Sequence, residues 1–130
     1  MSLTYENQIQ KIQTERAAWA VHNFPNAGAV QHALGVAEEA GELCHAILKM
    51  APGTAEDTPI RGDKESLLEE ASDALGDLLI YACGVATDLG LDLSECFQAA
   101  WDQVKDRDWV KYPDTGRPPV DFLAEYEGTE

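Results

Sequence analysis

A chain of 130 residues, 45% hydrophobic and 25% charged, is long enough to fold as one domain with its own core. Its 24 Asp and Glu against 9 Lys and Arg leave a formal net charge of -15, a balance that repels nucleic-acid backbones and anionic membranes and excludes both as expected partners. A polyphosphate substrate would need a local reversal of that charge, which a bound divalent cation supplies.

Met1 to Gln13 is polar, unlike a secretory leader. No apolar run approaches the roughly 18–20 residues that span a bilayer. Cys44, Cys83 and Cys96 form no C-x-x-C pair and sit among apolar residues. They read as small buried thiols in a reducing compartment, and the expected location is cytoplasmic.

In chain order, the first predicted helix runs from about Ser2 to Val21 on Leu3, Ile9, Ile12, Ala17 and Trp19. Pro25 ends it, because the residue before a proline is pushed out of helical geometry. The second runs from about Ala27 to Met50. Ala33, Val36, Ala40, Leu43, Ile47 and Met50 make its stripe at three- and four-residue steps. Ala51-Pro52-Gly53 stops it, and a long loop follows to about Gly62. The third runs from about Asp63 to Leu89, with Leu68, Leu75, Leu79, Ala82 and Ala86 as its main stripe and Gly90 as its stop. Past Asp77 this helix is apolar on more than one side, which suggests a central helix or a subunit interface. Asp92-Leu-Ser-Glu95 has the form of a capping box and opens the fourth helix. Leu93, Phe97, Ala100, Trp101 and Val104 form its stripe, and Trp101 is expected in the core. From Trp109 the chain is irregular. The expected architecture is all-α and four-helix-bundle-like, one domain over 1–117 with a tail over 118–130.

The second helix carries Glu38-Glu39-Ala40-Gly41-Glu42; the third carries Glu69-Glu70-Ala71-Ser72-Asp73-Ala74-Leu75-Gly76-Asp77. At about 100° per residue, Glu39 lies at the edge of its apolar stripe, Glu42 about 60° further round, and Glu38 points nearly away from the core. On the third helix Glu70, Asp73 and Asp77 fall within about 60° of one another. Their strip runs on into Ile80, Tyr81 and Gly84, so the acids adjoin apolar surface. Two facing carboxylate clusters need a counter-charge. An oxygen-only ligand set suits Mg²⁺, and Mn²⁺ fits as well.

GVAEEAGELCHAI followed by LLEEASDALGDLLIYACGVA resembles the MazG-like family of all-α nucleoside triphosphate pyrophosphohydrolases. That family's motif is E-E-x-x-E, a spacer, then E-x-x-D. Glu38, Glu39 and Glu42 match the first half, and Glu70-Ala-Ser-Asp73 matches the second. In a competing register, Asp77-Leu-Leu-Ile-Tyr-Ala matches the aliphatic run that follows the aspartate in many relatives. Asp73 belongs to the set in either register. Glu70 and Asp77 are the alternatives for the remaining ligand, with Asp77 the better match. ERAAWAVHNFPN resembles the family's lead-in, and LDLSECFQAAWDQVKDRDWVKYPDTG its last helix and basic end.

The resemblance implies cleavage of a nucleoside triphosphate between the α- and β-phosphates, giving a monophosphate and pyrophosphate, as in clearing unwanted nucleotides from the pool. It implies a homodimer or homotetramer. Mg²⁺ would be held by Glu39, Glu42, Asp73 and Asp77 or Glu70, and Glu39, Glu42 or Glu38 would take a proton from the attacking water. Lys105, Arg107, Lys111 and Tyr112 would bind the outer phosphates. Trp19, Asn23 and Phe24 would contact the base. Two other readings remain: a non-enzymatic helical oligomerisation module, and a diiron carboxylate bundle suggested by Glu42-Leu-Cys-His45, which lacks the second E-x-x-H such sites use.

Overall fold

The computed structural model describes residues 5–50 and 62–120. It is all-helical: α1 (Tyr5–Asn23), α2 (Ala29–Met50), α3 (Lys64–Asp88) and α4 (Leu93–Val104), with no strand among the described residues. The all-α expectation therefore holds, with helix ends within a few residues of those read from the sequence. The loop over 51–61, the first residues of the chain and the end of the tail lie outside the described residues.

The local signals act as their chemistry requires. Asp63 caps α3 by accepting from Ser66 N and Ser66 Oγ, both at 3.1 Å, which satisfies one otherwise orphaned donor. At the other end Leu91 N donates to Ala86 O at 2.8 Å and Gly90 N to Thr87 O at 3.1 Å. This paired closure needs a left-handed residue, and Gly90 supplies it at φ 70°. Asp92 accepts from Glu95 N at 3.3 Å to start α4. The Leu93 N–H is taken by Gln13 Oε1 of α1 at 2.8 Å, while Gln13 Nε2 donates to Leu91 O at 2.8 Å. One glutamine thus ties α1 to the turn between α3 and α4.

The chain divides between Cys96 and Phe97 into two compact units. In the first, α2 and α3 pack along their lengths and α1 lies against α3. The seam corrects the stripes drawn from the sequence. The buried positions on α2 are His32, Gly35, Glu39 and Ala46, and on α3 Leu67, Ala74, Cys83, Gly84 and Ala86, with Gly84 facing Arg16 of α1. Ile47, Leu75 and Leu79, expected inside, are 50%, 52% and 57% exposed. Ala33 and Leu68 are also exposed. The reason is steric. Small residues let two helix backbones approach closely, and the branched leucines are turned out. The cysteines divide as well: Cys83 is buried, whereas Cys44 and Cys96 are exposed. Burial raises the Cys83 thiol above its ordinary pKa, opposed by the nearby Arg16 charge.

The second unit holds most of α4 and the segment after it. Phe97 and Trp101, expected in the core, are 66% and 56% exposed. Asp108 organises the turn: its Oδ1 accepts from Val110 N and Lys111 N, its N donates to Gly116 O, and its O accepts from Tyr112 N.

Candidate active site

Glu39 lies in the middle of the α2–α3 seam and is 8% exposed. Its Oε2 is buried without a hydrogen-bond partner. The carboxyl is held above the usual glutamate range, first by burial. Next comes Glu42, through a hydrogen bond that protonated Glu39 can donate and through its charge; the charges of Asp77 and Glu38 follow. Three carboxylates from two helices therefore act on Glu39 at this point. A buried carboxylate oxygen with no donor is costly. A cation placed beside Glu39 would stabilise its charged form.

The acids of α3 are not equivalent. Asp77 is the one whose charge acts on Glu39. It stands three residues after buried Ala74 and four before half-buried Tyr81, so it shares the seam face. All three acids are exposed, but Asp73 and Glu70 do not contribute to the shift at Glu39. Among the described residues, no three His, Cys, Asp or Glu side chains are arranged as a ready-made ion cage. Of the α2 and α3 acids, Glu39 and Asp77 line one cavity.

Glu39 and Asp77 open on a cavity of about 510 Å³. Ile80 and Tyr81 of α3 and Gln31 and His32 of α2 form further wall. Trp19 and Phe24, expected at the base, do line it, their rings meeting edge-on with centroids 5.5 Å apart. Asn23 does not: its Nδ2 donates to Trp19 O at 2.9 Å, closing the end of α1. Gly35 backs the Tyr81 ring so closely that a Cβ there would overlap it. The seam glycine thus makes room for the aromatic wall.

Sequence reasoning missed two cavity residues. Arg16 is 8% exposed and lines the same space; an isolated arginine in a weakly patterned helix gave no sign of burial. His32 is 6% exposed, with Nδ1 2.5 Å from Asp88 Oδ2. Its spacing from Gly35 and Glu39 was a usable signal, once the seam is known to run through small and polar positions.

The expected phosphate ligands lie in the second unit. Lys105 Nζ donates to Asp102 Oδ1 at 3.0 Å, which raises the lysine's pKa and lowers that of Asp102, where Gln98 also donates. The Arg107 guanidinium lies 6.0 Å from the Trp109 ring centroid, and its Nε is buried without a partner. Lys111 Nζ is 5.5 Å from the Tyr112 centroid. His45 is exposed on α2.

The family model for the MazG nucleotide pyrophosphohydrolase domain matches residues 30–110, well over half of the chain. This chain belongs to the MazG family. The matched stretch of this MazG chain contains the whole carboxylate set, all of α3 and all of α2 but its first residue. It begins after Arg16, Trp19 and Phe24, which complete the cavity from outside the matched residues. No curated protein and no solved structure matches the chain.

Proposed function

We propose that this MazG chain is a divalent-metal-dependent nucleoside triphosphate pyrophosphohydrolase releasing a nucleoside monophosphate and pyrophosphate. The observation that carries this reading is Glu39, a buried carboxylate with an orphaned oxygen, pressed by Glu42, Asp77 and Glu38 at the mouth of an aromatic-walled cavity.

The donors are all carboxylate oxygens, the set that Mg²⁺ or Mn²⁺ takes, and Glu39, Glu42 and Asp77 would hold the ion. Asp73, one turn earlier on α3, would complete the set. When bound, the metal neutralises phosphate charge and acidifies water. The chain's residues do the rest. The hydroxyl of a water adds to the α-phosphorus, the bond to the bridging oxygen breaks, and pyrophosphate leaves. The water's proton passes to one of Glu38, Glu39 and Glu42. Trp19 and Phe24 hold the base and keep water from that end of the cavity.

Self-association belongs to the same reading. Ile47, Leu48, Leu75 and Leu79 are at least half exposed, more apolar surface than a solitary unit needs to show. A homodimer or homotetramer is expected in sedimentation.

The test is pyrophosphate release from a panel of deoxynucleoside triphosphates with Mg²⁺, with and without EDTA. Release that EDTA stops supports the reading. No release with any nucleotide contradicts it and leaves a helical association module. An absorbance band after Fe²⁺ and O₂ would favour a diiron centre.

A further inference from the structure

Arg16 carries a permanent positive charge, is more than nine-tenths buried, and has no carboxylate of the described residues within ion-pair distance. Its Nε has no hydrogen-bond partner. The guanidinium lies flat against α3, 2.8 Å from where a Cβ on Gly84 would sit, and it lines the cavity. A buried charge with open donors calls for acceptors from a ligand.

Position along α3 decides which part of a nucleotide that is. Gly84 follows Asp77 by seven residues, about 10 Å along the helix. With phosphates at Glu39 and Asp77, Arg16 stands at the opposite end of the cavity, beyond the Tyr81 ring. His32, paired with Asp88 one turn beyond Gly84, stands toward the same end of α3. Its Nδ1 is engaged by Asp88 Oδ2 at 2.5 Å. With Nδ1 engaged by that carboxylate, Nε2 is the ring nitrogen left for a ligand. Gln31 Oε1 is occupied by Gly28 N at 2.9 Å, which leaves its amide N–H groups free. The wall therefore offers donors from Arg16 and Gln31 beside the open Nε2 of His32.

We propose that Arg16 is the specificity-determining residue of this cavity, donating to the carbonyl of a lactam base edge while His32 Nε2 accepts from the ring N–H beside it. The substrate class is then nucleoside triphosphates of keto bases, namely uracil, thymine, guanine or hypoxanthine. Cytosine and adenine present an exocyclic amine and no ring N–H at that edge, so they leave the guanidinium unpaired. This inference rests on the pyrophosphohydrolase reading for its substrate, and on the cavity wall for its selectivity.

The test compares kcat/KM for dUTP against dCTP and for dITP against dATP, pairs that differ at this edge alone. The wild type is expected to favour the keto member by about tenfold or more. Arg16→Met should bring both ratios close to one. Arg16→Lys should do much the same, because a lysine keeps the charge and loses the planar fork. Should Arg16→Met not fold, Gly84→Ala, whose methyl displaces the guanidinium, gives the same readout. Wild-type ratios near or below one overturn the inference. So does an Arg16→Met or Arg16→Lys loss of equal size for all four nucleotides, the mark of a phosphate-binding or purely structural role. Calorimetric titration with dUMP and dCMP, without metal, separates this from the activity itself. Selective dUMP binding that Arg16→Lys abolishes, with no hydrolysis of any triphosphate, would uphold base reading and sink the hydrolase. Hydrolysis with unselective base binding would do the reverse.

Discussion

Gly35 of α2 and Tyr81 of α3 are in direct contact across the seam, with the glycine's bare Cα facing the phenol ring. A methyl at Gly35 must displace that ring. Gly35→Ala should therefore cost about 1–3 kcal/mol of stability, the usual penalty of overpacking, against the small gain in helix propensity that alanine brings. Urea unfolding checks the first effect. Because Tyr81 also forms cavity wall, nucleotide binding should weaken in the same variant.

Glu39 gives a pH signature. Its folded-state pKa is raised above the ordinary 4.5, so between 4.5 and the folded value the native chain holds a proton that the unfolded chain has lost. Stability then falls as pH rises through that window. In EDTA, the wild type should lose more melting temperature than Glu39→Gln as pH is raised from the ordinary glutamate range. Parallel curves for the two proteins would show that Glu39 is not strained by its neighbours.

The register of the α3 acids can be decided by substitution. Asp77→Asn should remove most hydrolysis, because Asp77 shares the seam face with Glu39. Glu70→Gln should have little effect on kcat. The reverse ranking would move the site one to two turns down α3.

His32 and Asp88 form a part-buried pair, with side chains 8% and 28% exposed. Asp88→Leu leaves the imidazole without its partner and should destabilise by about 1–3 kcal/mol, the cost of an unmatched buried polar group. By contrast Lys105→Ala, which breaks a pair whose members are 45% and 51% exposed, should leave stability almost unchanged, because water screens such a pair. Urea titration of both variants tests the contrast.

The helices were legible from the sequence because their ends are written in local chemistry: Asp63 and Asp92 at the starts, Gly90 and Pro25 at the stops. The acidic motif was legible because E-E-x-x-E is a contiguous pattern. The facing of the helices was not. A stripe drawn through the largest aliphatic side chains put Leu75 and Leu79 inside, whereas close approach selects Gly35, Ala46, Ala74 and Gly84. The same error set Glu39 at the edge of the packed face instead of its middle, and it hid Arg16 and His32, whose burial depends on contacts from other helices.

The most direct measurement is Mn²⁺ binding, followed by loss of the free-ion EPR signal, for the wild type and Glu39→Gln with circular dichroism as the folding control. The account predicts saturable binding by the wild type and at least about a tenfold weaker affinity in the folded variant. Equal affinity in the two proteins would mean that the seam carboxylates hold no metal, and the proposed chemistry would have no centre.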